Sequence, residues 1–431
     1  MIAKCTNINE KGHLTIGGID AVELAREFGT PAYILDENTI RENCRTYINA
    51  MKKYFGEDSF PLFASKALSF SEIYRIVASE GMGIDCVSPG EIYTAKNVGY
   101  PMECAYFHGN NKTDADIEMA LDAKIGCFVV DNVEELNSLE SACERRNITQ
   151  KILLRLSPGI DPHTHQKVVT GSVDSKFGTA IETGQAMEMV KLALEKKHLH
   201  LAGIHCHIGS QIFDIDPFVS AADIMFSFIS DIKKETGHDI EELNLGGGLG
   251  VPYVDTDDEV DYEDCIRRMA EQLKISGEKF DIRMPKIILE PGRSIVAAAG
   301  VTLYTVGSFK NITGYKSYVS IDGGMPDNPR YALYNSQYTV LIANRANEEK
   351  TVKCTVAGRC CESGDLIAED IMLQQAERGD ILAVLVTGAY NYSMASNYNR
   401  IPRPPIVMVR DGKARLVLKR ETFEDLVRND I

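Results

Sequence analysis

Along the first two-thirds of the chain, short runs of apolar, often β-branched residues alternate with longer stretches whose apolar positions recur every three or four residues. The short runs predict strands at 60–65, 83–86, 105–108, 127–130, 151–156, 201–207, 242–245 and 286–289. The amphipathic stretches between them predict helices at 71–79, 89–98, 114–122, 133–146, 184–197, 217–236 and 262–275. Eight strands with intervening helices match a (β/α)8 barrel, which takes about 250 residues. A doubly wound sheet would alternate too, but eight parallel units suit the barrel better. From about residue 301 the helices drop out, and strands follow one another at 301–309, 315–321, 350–356, 381–387, 406–409 and 414–418. The segment 32–35 is assigned with them. The expected fold class is therefore α/β, a TIM barrel over 36–296 plus a mainly β C-terminal domain that combines 1–35 with 297–431.

A length of 431 residues fits this two-domain division. Charged residues make up 25% of the chain and apolar ones 44%, as in an ordinary globular protein. A net charge of −16 argues against a nucleic-acid partner, which needs a basic face. The longest apolar runs fall far short of the roughly 20 residues of a membrane helix, and the amino terminus lacks a signal-like apolar core. Eleven cysteines, an odd number without a CxxC pair, read as reduced thiols in a cytoplasmic protein.

Chemistry in such a barrel collects where strands end at the C-terminal face, and here almost every strand end is polar. Lys66 follows the first strand, Asp85 closes the second, and His108 and Gly109 close the third. Asp131 follows the fourth, Arg155 lies in the fifth, and His205 and His207 end the sixth. Gly246, Gly247, Gly248 and Gly250 follow the seventh, and Glu290-Pro-Gly-Arg293 follows the eighth.

Lys66 sits among apolar neighbours in Phe63-Ala-Ser-Lys-Ala67. Desolvation there would disfavour its ammonium and suit Schiff-base chemistry, although a lysine snorkelling at the rim is an alternative. The glycine run lets backbone N–H groups approach a phosphate where barrels commonly bind one, but a plain turn has the same composition. Glu290 ends an apolar strand and needs a partner, which a pyridinium nitrogen or Arg293 could supply. His205 and His207 are two apart, share a strand face and form an HxH pair that metal hydrolases also use, with Asp161, His163 and His165 as conceivable further ligands. The preferred reading has no metal. It makes His207 a ring-stacking residue, Ser210 a phosphate contact and His205 a satisfied core histidine. Cys361 beside Glu362 could deliver a proton and hold an amine, or the cysteine could be an inert core residue.

Taken together, Phe63-Ala-Ser-Lys-Ala67, His205-Cys-His-Ile-Gly-Ser-Gln211, the GGGxG run and Glu290-Pro-Gly-Arg293 resemble the fold-type III pyridoxal-phosphate (PLP) decarboxylases, a family that includes diaminopimelate, ornithine and arginine decarboxylases. Asp322-Gly-Gly-Met-Pro-Asp-Asn-Pro-Arg-Tyr-Ala-Leu-Tyr334 and Cys361-Glu-Ser-Gly-Asp365 resemble its diaminopimelate branch in particular. The resemblance spans nearly the whole chain and implies PLP as cofactor. It makes Lys66 the Schiff-base lysine, with Asp85 in the cofactor site, His207 stacked on the ring and Glu290 on the ring nitrogen. Ser210, Gly246, Gly247, Gly248, Gly292 and Arg293 would surround the phosphate, with Tyr390 contributing from the β domain. Arg293, Arg330, Tyr334 and Tyr390 would line the substrate site, Glu362 would meet a distal amine and Cys361 would donate a proton. It further implies a homodimer with shared active sites. Leu68 departs from the common pattern, where relatives carry Asn after Lys-Ala. Rival readings are a sibling decarboxylase acting on arginine, ornithine or carboxynorspermidine, a silent PLP-binding homologue, or a metal hydrolase.

Overall fold

The computed structural model of the chain describes residues 2–160 and 175–431. Asp161, His163 and His165 lie outside the described residues. The chain forms two compact units, one of residues 44–250 and 259–292, the other of 1–43, 251–258 and 293–431.

The first unit is a closed parallel barrel. Its strands are Phe60–Ala64, Gly83–Cys86, Ala105–Phe107, Cys127–Val130, Gln150–Ser157, Leu199–His205, Glu242–Asn244 and Lys286–Leu289. Each pairs with the next, and the eighth returns to the first through Ile288 opposite Phe60. The strands are buried almost throughout, which explains continuous apolar runs in place of alternation. Leu62, Tyr106, Val129, Leu153, Ala202 and Ile288 pack together in the core. Four of the surrounding helices start on side-chain caps: Ser88 on Glu91, Thr113 in a capping box with Asp116, Asn132 on Glu135 and Asp261 on Asp264. The sixth strand ends at His205, two residues earlier than expected, because the chain then bends into an irregular loop around His207.

The second unit is built on the long strand Gly300–Ile312, which pairs with Ala32–Asp36, Lys316–Ile321 and Ile381–Leu385. Ile406–Arg410 runs parallel to Ala32–Asp36 and carries Lys413–Leu418. The early apolar segment thus belongs to the late sheet, as its composition suggests. Five strands of this unit escaped the pattern reading, among them the short N-terminal Thr6–Ile8, Leu14–Ile16 and Ile19–Asp20. Val340–Ile342 is only three residues long. Leu366–Leu373 is interrupted by exposed Glu369 and by Asp370 at φ 54°, where its pairing register shifts, so its apolar alternation breaks.

Candidate active site

The C-terminal ends of the barrel strands carry the polar cluster. Lys66 lies in a single 3-10 turn, Ser65–Ala67, directly after the first strand. Phe63, Ala64, Ser65, Ala67 and Leu68 are all buried, whereas Lys66 itself is exposed. The apolar enclosure expected for its ammonium is therefore corrected: the neighbours pack away from the side chain. The partner strand places Asp85 opposite Ala64, two residues before the lysine. Burial pushes the carboxyl of Asp85 up, opposed by His108, Lys66 and Arg155. Glu91, which sequence reasoning passed over, folds back to accept the backbone N–H of Val87 at 2.7 Å and also feels the charge of Lys66.

At the centre stands Glu290, 7% exposed. One of its oxygens, Oε1, lies 2.6 Å from the amide nitrogen of Asn244 and 2.9 Å from Nε2 of His108. The other, Oε2, lies 3.3 Å from Nε2 of His205. His108 and His205, through charge first and hydrogen bonding second, hold the carboxyl of Glu290 well below its usual range against the desolvation that would raise it. Burial drives His205 down to about 4 and holds His207 well below its ordinary value, with Lys66 and Arg155 adding to the effect on His207. His205 is fully buried, with Nε2 meeting Oε2 of Glu290. The expectation that His205 and His207 share a strand face is also corrected, since the strand stops between them. Nδ1 of His207 accepts the N–H of Gly247 at 3.3 Å. Among the described residues, the group with metal-ligand spacing is His108, His205 and Glu290, not the HxH pair.

The glycine run is a backbone surface with no room for side chains. A Cβ on Gly247 would stand 2.1 Å from the carbonyl oxygen of Glu290, and one on Gly248 would stand 2.3 Å from that of Gly209. Ile212 and Leu249 form a parallel bridge that lays the Gly209–Ser210 loop alongside the run. A Cβ on Gly292 would meet Ala64 and Ala67, on either side of the lysine turn, at 2.9 and 3.1 Å.

This donor set fits PLP. A carboxylate accepts about four hydrogen bonds; among the described residues Asn244 donates to Oε1 and His205 meets Oε2, which leaves a place for a ring N–H. An imidazole, a bare glycine run and an amine complete the requirements for ring, phosphate and carbonyl carbon.

In the β unit, the guanidinium of Arg293 donates to the hydroxyl of Tyr253 at 2.7 Å and lies 4.7 Å from the ring centre of Tyr390. Arg330, also 7% exposed, lies 4.9 Å from the ring of Tyr334 and 5.2 Å from that of Tyr390. Its Nε has no hydrogen-bond partner, and no carboxylate pairs with it among the described residues. Tyr390 holds φ at 63°, a strained value for a bulky residue that turns its ring towards both arginines. The loop carrying Cys361 and Glu362 is anchored by buried Asp365, whose carboxylate accepts from the N–H groups of Cys360 and Met325. Both Cys361 and Glu362 are exposed, so the inert-core reading of the cysteine falls. The N–H of Cys361 donates to Asn399 at 2.9 Å.

His108, Asn244 and Tyr253 were not singled out for these roles. Asn244 stands directly before the glycine run, a polar residue closing an apolar strand, and that was the available signal.

The barrel, its lysine and its buried carboxylate define a PLP enzyme, and residues 38–297 match the family described as "Pyridoxal-dependent decarboxylase, pyridoxal binding domain". The chain belongs to that family. The chain is 47% identical to the diaminopimelate decarboxylase of Halalkalibacterium halodurans over 99% of its own length and 97% of the relative's. To that of Bacillus subtilis it is 44% identical, covering 98% and 96%. Among solved structures, the diaminopimelate decarboxylase of M. jannaschii in co-complex with L-lysine has a TM-score of 0.91 at 37% identity, covering 100% of this chain and 98% of that one. No helix among the described residues is long and apolar enough to cross a membrane.

Proposed function

We propose that this protein decarboxylates meso-2,6-diaminopimelate to L-lysine and CO2. The observation that carries the reading is Arg330, a buried guanidinium without a carboxylate among the described residues. An unpaired buried charge is costly, and a substrate with a distal carboxylate supplies the missing partner in the two-pronged geometry that arginine prefers. Ornithine has no such group. Tyr334, Arg293 and Tyr390 flank the same position in the β unit.

When bound, PLP supplies an electron sink for the electron pair released with CO2. Lys66 holds the cofactor through its amine, beside Asp85. Glu290 would keep a negative charge at the ring nitrogen, and His207 would hold the ring. Ser210, Gly246, Gly247, Gly248 and Gly292 surround the phosphate, with Arg293 and Tyr390. Cys361 returns a proton to Cα, and Glu362 receives the distal ammonium. The exposure of Cys361 and Glu362 supports a homodimer in which each copy completes the other's site. Eleven free thiols support a reducing, cytoplasmic setting.

The test is turnover by the purified, PLP-loaded protein of meso-diaminopimelate, ornithine and arginine. Lysine and CO2 should form from the first alone, and preferential turnover of ornithine or arginine overturns the assignment. Shared sites are tested by mixing inactive Lys66→Ala and Cys361→Ala proteins under subunit exchange. About half the dimers are then mixed, each with one intact site, so roughly a quarter of wild-type sites should return. No recovery despite proven exchange rules the shared site out.

A further inference from the structure

Asn244 is fully buried and spans two halves of the cofactor site. Its carbonyl oxygen accepts the N–H of Gly246 at 2.9 Å, and its amide nitrogen donates to Oε1 of Glu290 at 2.6 Å. The first contact fixes which end of the amide faces the glutamate, because a backbone N–H can only meet the oxygen. Glu290 in turn donates its backbone N–H to the carbonyl of Gly246 at 2.7 Å. One amide thus ties the glycine run to the carboxylate. On the other side His108 shares Oε1, with its Nε2 also 3.8 Å from Oδ1 of Asp85. Its ring packs edge-on to that of His205, with centroids 4.9 Å apart.

We propose that Asn244 and His108 are positioning residues: with His205 they clamp the carboxylate of Glu290 in place, with an acceptor site on Oε2 left for the ring nitrogen. Asn244 additionally locks that orientation to the phosphate-binding glycines. The inference rests on Glu290 being the ring-nitrogen partner. Its physical basis is proton competition. A carboxylate and a pyridine nitrogen share one proton, and each donor removed from Glu290 makes it more basic, moving the proton from the ring to the acid. The charged and titratable groups facing Glu290 are Asp85, His108, Arg155, His205, Cys206 and His207.

The experiment loads the protein with PLP labelled with 15N in the ring and reads the nitrogen shift across neutral and alkaline pH. Wild type should show a protonated ring nitrogen throughout. Asn244→Leu and His108→Leu should each move the signal towards the unprotonated value, and His108→Gln, which keeps an N–H donor, should restore it. Asn244→Leu should also weaken PLP binding by about 10- to 100-fold, more than His108→Leu does, because only Asn244 touches the glycine run. Glu290→Gln separates the two claims. If it moves the signal and the leucine variants do not, the clamp is wrong. If Glu290→Gln itself leaves the signal unchanged, the reading of Glu290 falls and the clamp with it. Should the leucine variants fail to fold, imidazole 15N spectra of wild type decide: His108 and His205 must both carry a proton on Nε2, and an unprotonated Nε2 in either overturns the clamp.

Discussion

The barrel and the β unit handle buried charge in opposite ways. In the barrel the carboxylate of Glu290 is held by Asn244 and His205, with Nε2 of His108 2.9 Å from it. In the β unit Arg330 is buried among aromatic rings, with a partnerless Nε and no anion among the described residues. The first arrangement is nearly complete in itself and orients a fixed cofactor. The second is incomplete by one carboxylate and selects what binds. A preorganised anion and an unsatisfied cation therefore divide the work, since specificity grows with the cost of leaving a buried group unpaired.

The largest expected effect follows from that incompleteness. Arg330→Ala should lower kcat/KM for diaminopimelate on the order of 100- to 1,000-fold, the loss of one partner of a buried charge pair, with the PLP absorbance unchanged. Arg330→Met, which fills the space without the charge, should leave the free protein at least as stable in urea. A large loss of stability in Arg330→Met would mean that the guanidinium has a structural anion after all.

Second is the response of stability to pH, which should have opposite signs in the two units. Burial raises Asp327 in the β unit to about 7, countered in part by hydrogen bonds from Tyr304 and Gly324. Between its ordinary 3.8 and about 7 the folded protein holds a proton that the unfolded chain has lost. This group's contribution is therefore full below pH 3.8 and declines as pH rises, by on the order of 4 kcal/mol in total. Asp327→Asn should flatten that decline in urea denaturation series, and an unchanged slope would refute it.

His205 in the barrel is the mirror case. Burial lowers it from 6.5 to about 4, so its contribution is full above pH 6.5 and is lost as pH falls through about 4. The expected loss is on the order of 3 kcal/mol. His205→Gln, neutral at all pH values, should remove that acid sensitivity. If the two variants change the slope in the same direction, the contrast between the units fails.

The smallest effect belongs to Cys361. Exposed and held through its backbone, it should tolerate Cys361→Ala within about 0.5 kcal/mol of stability, measured under conditions where the chain is monomeric, while activity is lost. A markedly destabilised variant would return the cysteine to a packing role.

Much of this was legible in the chain. Hydrophobic runs separated by amphipathic stretches determine eight barrel strands, because strands buried on both faces must be apolar throughout. Lys66, Glu290, the glycine run and Arg330 stand in local motifs, and their positions follow from counting strand ends. Periodicity does not reveal which side chains meet across the rim. His205 and Asn244 reach Glu290 through the pairing of the sixth, seventh and eighth strands, and His108, from the third, meets it only because the eighth strand closes onto the first. Nor could the residue types around Lys66 tell that its apolar neighbours turn inwards while it stays exposed, or that Tyr390 adopts a left-handed backbone to face two arginines. Residue pattern sets which face of an element is buried. The neighbour on that face, and hence the protonation and pairing of each buried charge, is decided by tertiary contacts between residues far apart in the chain.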